Sequence, residues 1–232
     1  KGDYHKAVYH FLQSLSIFEE VRDISNLGEV HSNLGELYVE LEEFELAEQS
    51  FVKSQEYYAL SGNKLAFAWV YSDIALLKTR IGELDSALIY YQESADLWKK
   101  EERWKEYSAC LLSMADIKFE EEKYTEAFDL LAIAEVHFRE LKYLHGLSQV
   151  YLNQGKYYQL TDQSRKAISK FNASLEISDY ADANGLLVEV YYELYRAYKA
   201  LGNTKSALDY LEKHTVLNDS LFGIEQNKIR LE

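Results

Sequence analysis

The sequence predicts an all-α fold, an array of antiparallel helical hairpins, and three observations predict it. Ala7, Ala47, Ala87, Ala127, Ala167 and Ala207 stand forty residues apart along the 232-residue chain. A period of that size marks a repeat array, in which each unit buries its apolar face against its neighbours. Four residues beyond each alanine comes a large side chain, Phe11, Phe51, Tyr91, Leu131, Phe171 or Leu211, one turn further along the same helix face. Proline is absent and glycine occurs ten times, a composition that suits long helices and disfavours strands joined by turns.

Taken in order, residues 1–22 carry the first alanine and read as the second helix of a truncated hairpin. Hairpins follow over 26–61, 64–101, 106–142, 146–181 and 186–219, each with a first helix (A) and an alanine-bearing second helix (B). The apolar pattern places the A helices over Asn26 to Leu41, Ala66 to Ile81, Glu106 to Glu121, Gly146 to Leu160 and Leu186 to Leu201. Within hairpins the breaks fall at Glu42-Glu43, Gly82-Glu83, Glu122-Lys123, Asp162-Gln163 and Gly202-Asn203, where glycine or polar residues can leave the helical basin. Between hairpins they fall at 23–25, 62–64, Glu102-Arg103, Lys142-Tyr143 and 182–185. Connections this short force neighbouring helices antiparallel. One register in helix A is small, as Gly35, Ala75, Ala115 or Gly155, until Tyr195 replaces it, which implies a widened contact in a terminal repeat. The stretch 220–232 departs from the repeat and is expected to cap the last hairpin, to connect onward, or both.

Composition excludes several functions. A formal net charge of −14 repels a phosphate backbone, and no Lys/Arg run forms a basic stripe, so nucleic acid is not an expected partner. No apolar stretch of about 18 residues is present, so direct membrane insertion is not expected. Cys110 is the single cysteine and is expected to pack in the core. The six histidines include no pair at metal-ligand spacing, and neither a phosphate-binding glycine loop nor a nucleophile elbow occurs. No catalytic residue, metal or cofactor is therefore assigned. The chain begins at a half-repeat without an initiator Met and is expected to be a piece of a longer protein.

With Gly35, Tyr38, Ala47 and Phe51 in this order and spacing, the units resemble tetratricopeptide repeats, and six registers extend the resemblance over essentially the whole chain. The family's usual unit is about 34 residues with a proline after helix B; here the unit is forty and the proline is missing, which implies longer helices. Such units are similar to those of Pins-type polarity adaptors and Rap-type bacterial peptide receptors, which bind peptides on the inner face. The resemblance implies a right-handed superhelical α-solenoid whose A helices line the concave side. It implies a protein- or peptide-binding module, the sensory or adaptor region of a larger bacterial signalling protein, placed in the cytoplasm or, as the alternative, in a periplasmic sensor. Two other readings stay open: an assembly scaffold, homo-oligomeric through its C-terminal helix, and the regulatory region of a response-regulator phosphatase whose active part lies elsewhere.

Given that geometry, spacing of four, three and four residues draws one ligand-facing stripe along each A helix. The stripes supply Glu29, Asn33, Glu36 and Glu40, then Trp69, Asp73 and Arg80, then Ser113, Asp116 and Glu120. They continue with Gln149, Asn153 and Lys156 and end with Glu193 and Arg196. Asn33 and Asn153 hold the register at which forty-residue relatives clamp a peptide backbone, an amide offering both donor and acceptor. Asp73, Ser113 and Glu193 interrupt that ladder. Acidic residues dominate the first three hairpins, while Lys156, Arg196 and nearby Lys199 lie in the last two, so a partner segment carrying Lys or Arg would be oriented by the field. Trp69 either anchors such a cation over its face or packs between A helices. Most tyrosines, including Tyr38, Tyr158 and Tyr198, fall at core registers.

Overall fold

The computed structural model describes residues 2–181 and 183–230, with side chains described for 4–181 and 183–221. Lys1, Asp182 in the last break between hairpins, and residues 231–232 lie outside the described residues, as do most side chains of the expected 220–232 segment. The described chain is helical, from α1 (Gly2–Val21), α2 (Ile24–Glu40), α3 (Phe44–Ser61) and α4 (Lys64–Arg80) to α5 (Leu84–Lys100) and α6 (Trp104–Glu120). It continues through α7 (Tyr124–Glu140), α8 (Leu144–Leu160), α9 (Ser164–Tyr180), α10 (Asn184–Ala200) and α11 (Thr204–Arg230). From α2 onward each helix begins twenty residues after the one before. Every A helix starts two residues earlier than the apolar pattern places it. The periodic pattern registers only where the helix first meets the core, whereas capping starts it sooner: Asp23 accepts from the Asn26 amide at 3.2 Å and Asn63 from that of Ala66 at 3.3 Å.

The turns repeat as regularly as the helices. Arg22, Glu42, Gly62, Gly82, Glu102, Glu122, Lys142, Asp162 and Gly202 are all left-handed, with φ from 53° to 81°. The next amide then reaches back to close the helix, as Glu43 does to the Tyr38 carbonyl at 2.8 Å and Lys123 to that of Lys118 at 2.8 Å. The C-terminal helix ends are thereby satisfied by the backbone itself.

By packing, the chain divides into two compact units, residues 1–117 and 118–232. In the first, α3 lies between α2 and α4, and Phe51, Val70 and Leu77 centre a core with Ala47 and Tyr58. In the second, α9 lies between α8 and α10, around Phe171, Val190, Leu194 and Ala167. The alanines of α3, α5, α7 and α9 are fully buried and Ala207 almost so, while Ala7 is half-buried because α1 packs on α2 alone. Alanine is required where helices approach most closely, and glycine where an aromatic ring leaves no room even for a methyl. A Cβ on Gly35 would collide with the Phe51 ring, and one on Gly155 with that of Phe171. Serines lock the same hairpins: Ser54 donates to the Gly28 carbonyl at 2.8 Å, Ser94 to that of Ala68 at 2.7 Å, and Ser174 to that of Ser148 at 2.9 Å.

Tyr38, Tyr158 and Tyr198 pack against these cores, as their registers predict. In each tyrosine pair of a B helix one member goes inward, Tyr58 and Tyr91 being buried, while Tyr57 stacks on His31 and Tyr90 lies against Tyr71. Cys110 is buried, its sulfur 3.4 Å from the Ser94 hydroxyl, and burial pushes its thiol pKa up.

Candidate functional site

In the first unit α2 and α4 lie side by side, and the surface between them holds a cleft of about 480 Å³. Its α2 wall is Glu29, Ser32, Asn33 and Glu36; its α4 wall is Leu65, Ala66, Trp69 and Asp73, with Tyr58 and Asn63 at one end. Trp69 is 53% exposed and stands edge-on to buried Trp98, with ring centroids 4.9 Å apart at 72°. Trp69 is thus packed along one side against a B-helix residue, not between A helices, and the remainder faces the cleft.

Asp73 lies deep in the cleft and accepts a hydrogen bond from the Ser32 hydroxyl at 3.0 Å. Burial, reinforced by the charge of Glu36 and only partly relieved by Ser32, raises its carboxyl to about 7. Burial raises Glu36 as well. Among the described residues no lysine or arginine forms an ion pair with Glu29, Glu36 or Asp73. The cleft therefore gathers carboxylates that no described lysine or arginine pairs with, against an aromatic wall. That arrangement suits a desolvated cation.

The remaining stripe residues are placed differently. Glu40 and Arg80 neutralise one another across α2 and α4 at 3.6 Å. Ser113 is half-buried beside Tyr91, and Asp116 and Glu120 are exposed. In the second unit Gln149 is half-buried and Asn153 is buried, so Asn153 offers far less surface than its register implies. Lys156 is paired with Glu189 at 2.5 Å, and Arg196 donates to both oxygens of buried Glu193 at 3.1 and 3.2 Å. The basic end expected there is thus largely compensated, apart from Lys199.

Ser32 and Tyr58 are cleft residues that the stripe misses. Ser32 lies three residues after Glu29 and four before Glu36, so it shares their face; a single line of positions was narrower than the surface two packed helices present. Among the described residues no cluster of His, Cys, Asp or Glu could hold a metal ion, and no helix is long and apolar enough to cross a membrane.

The evenly spaced helices, left-handed turns and alanine contacts define an α-solenoid of helical hairpins. Residues 26–100 match the tetratricopeptide repeat family in sequence. No curated protein matches it. Among solved structures it is similar to BtubC (BKLC) from P. vanneervenii, with a TM-score of 0.75, 18% identity, and 96% of this chain and 91% of that one covered. It is also similar to the apo form of RapI, with a TM-score of 0.76 and 15% identity over 86% of this chain and 73% of that one. A Rap protein complexed with Competence and Sporulation Factor gives a TM-score of 0.71 and 16% identity over 82% of this chain, which spans 53% of the Rap chain. At these identities the likeness is one of fold.

Proposed function

We propose that the chain is a protein-binding tetratricopeptide module whose α2/α4 cleft captures a peptide or protein segment by a lysine or arginine side chain. The observation that carries this reading is the set of three unpaired carboxylates, Glu29, Glu36 and Asp73, grouped beside half-exposed Trp69. A cation entering there lies against the indole face and meets Asp73, a carboxylate that burial has already stripped of much of its water. Asn33 lines the same cleft and can bond the segment's backbone through its amide, whatever the sequence. The match of residues 26–100 to the tetratricopeptide repeat family supports a protein partner, and the fold shared with RapI and with a Rap protein complexed with a factor supports a sensory or adaptor role in a larger bacterial signalling protein. In this reading the array runs to about residue 219, with 220–232 as cap or connector.

The test is fluorescence anisotropy with a labelled hexapeptide of alternating Arg and Ala, against its Gln counterpart, at pH 8. Wild-type protein is expected to prefer the Arg peptide, and Asp73→Asn combined with Glu36→Gln to weaken it at least tenfold while the circular dichroism stays helical. Equal binding by wild type and variant would sink the reading. A second reading, self-association through the C-terminal helix, is favoured by Leu208 and Val216, exposed on α11 at 59% and 65%. Sedimentation velocity separates it: a dimer lost on Leu208→Lys with Val216→Lys supports assembly, and a monomer at all concentrations removes it.

A further inference from the structure

The first unit carries a second hollow, of about 400 Å³, lined by Tyr71 of α4 and by Ser86, Ile89, Tyr90 and Glu93 of α5, with no basic residue among them. Tyr71 stands two positions from both Trp69 and Asp73, so it points to the other side of α4 from the cation cleft. We propose that this hollow binds a quaternary ammonium group, held over the rings of Tyr71 and Tyr90 and balanced by the Glu93 carboxylate.

The repeat itself supplies the comparison that leads there. Three repeats further on, Tyr191 and Tyr210 hold the registers of Tyr71 and Tyr90. The two pairs are built alike, with ring centroids 6.1 Å apart at 34° in the second unit and 5.9 Å apart at 41° in the first. In the second unit the chain provides its own cation: Lys213 Nζ lies 5.0 Å from the centre of the Tyr210 ring and pairs with Asp209 at 2.9 Å. Tyr151, also in the register of Tyr71, has Lys170 Nζ 4.5 Å from its ring centre. In the first unit the register of Lys213 is Glu93 and that of Asp209 is Ile89. The tyrosine pair is kept, while the internal cation is exchanged for a carboxylate that attracts one from outside.

The same exchange selects the kind of cation. A primary ammonium has three N–H donors to satisfy, and Lys213 directs one to Asp209. At that place the first unit offers Ile89, 62% exposed, which satisfies no donor and suits N-methyl groups. Glu93 supplies charge at a distance: after burial, its field is the next cause that raises the pKa of the Tyr71 hydroxyl. Phe67 packs beside Tyr71, with centroids 6.0 Å apart, and steadies that ring. Two aromatic faces, an apolar wall and one carboxylate are the parts from which quaternary ammonium sites are made.

The experiment is an NMR titration of the whole chain, labelled in its tyrosine rings, with choline and with its neutral isostere 3,3-dimethylbutan-1-ol. Choline is expected to shift the Tyr71 and Tyr90 signals with at least tenfold higher affinity than the alcohol. Glu93→Gln is expected to weaken choline about threefold. Glu93→Lys, which puts a cation where Lys213 stands in the second unit, is expected to abolish binding; both changes are at an exposed position and leave the core intact. A peptide containing trimethyllysine, set against its unmodified counterpart, distinguishes the source: tighter binding than choline with the same dependence on Glu93 supports the site and places the ammonium on a protein partner. The proposal is overturned if the alcohol binds as well as choline, if unmodified lysine binds as well as trimethyllysine, if Glu93→Lys changes nothing, or if no ligand shifts Tyr71 or Tyr90. It is overturned too if choline binding is lost with Trp69→Leu and not with Glu93→Lys, since the ligand then occupies the cation cleft.

Discussion

At the residue scale, Asp73 sets capture against stability. Its carboxyl ionises near 3.8 in the unfolded chain and at about 7 in the fold, so between those values the folded state binds the extra proton and stability falls as pH rises. Above pH 7 the ionised, buried group costs its full share. Asp73→Asn is therefore expected to be more stable than wild type at pH 8 by roughly 1–3 kcal/mol and equal to it below about pH 4, measured by urea denaturation across pH. Gain of stability together with loss of Arg-peptide binding is the pattern of a binding residue; loss of both would make Asp73 structural. His31 slopes the other way. Burial, aided by the charge of Lys53, lowers it to about 4, so the stability its neutral ring supports is lost as pH falls below 6.5; comparing wild type with Asp73→Asn cancels that contribution. Much of this cleft was legible in the sequence, since Glu29, Asn33 and Glu36 lay on the stripe of α2 and Trp69 and Asp73 on that of α4. Ser32 was not, because the stripe was drawn one residue wide, and the pairing of Lys156 with Glu189 was not, because it depends on the distance between α8 and α10 and not on spacing within either helix.

At the scale of elements, size complementarity between helix A and helix B fixes each hairpin. Gly155→Ala places a methyl against the Phe171 ring and is expected to cost about 1–3 kcal/mol. Adding Phe171→Leu should recover part of the loss, because alanine and leucine already share these registers at Ala115 and Leu131. If Gly155→Ala is neutral to denaturation, the close approach does not hold the pair. The turns permit a change in the opposite direction. Glu102 is left-handed at φ 55°, where a Cβ is strained, so Glu102→Gly is expected to raise stability by roughly 0.5–1 kcal/mol after the entropy cost of glycine, read from the denaturation midpoint. The sequence marked every described turn, but glycine marked only Gly62, Gly82 and Gly202 as left-handed. At the other turns the conformation is imposed by the helices on either side and leaves no residue-type signature.

At the scale of the whole chain, stability is shared between neighbouring helices. Helix α3 is enclosed by α2 and α4, whereas α1 packs on α2 alone and exposes Tyr9, Ile17 and Val21. Amides of α1 are expected to exchange with deuterium at least tenfold faster than those of α3, and comparable protection in the two helices would contradict nearest-neighbour stabilisation. The twenty-residue cadence of helix starts also makes the chain a text written in interchangeable clauses. Gly62 and Glu102 hold the same left-handed position one hairpin apart, so splicing Gly62 directly to Arg103 would remove residues 63–102 and leave a grammatical junction. Ala109 and Ser113 would then occupy the places of Trp69 and Asp73. Recognition could be rewritten by excising or duplicating a clause, with each core contact supplied by the clause that moves in.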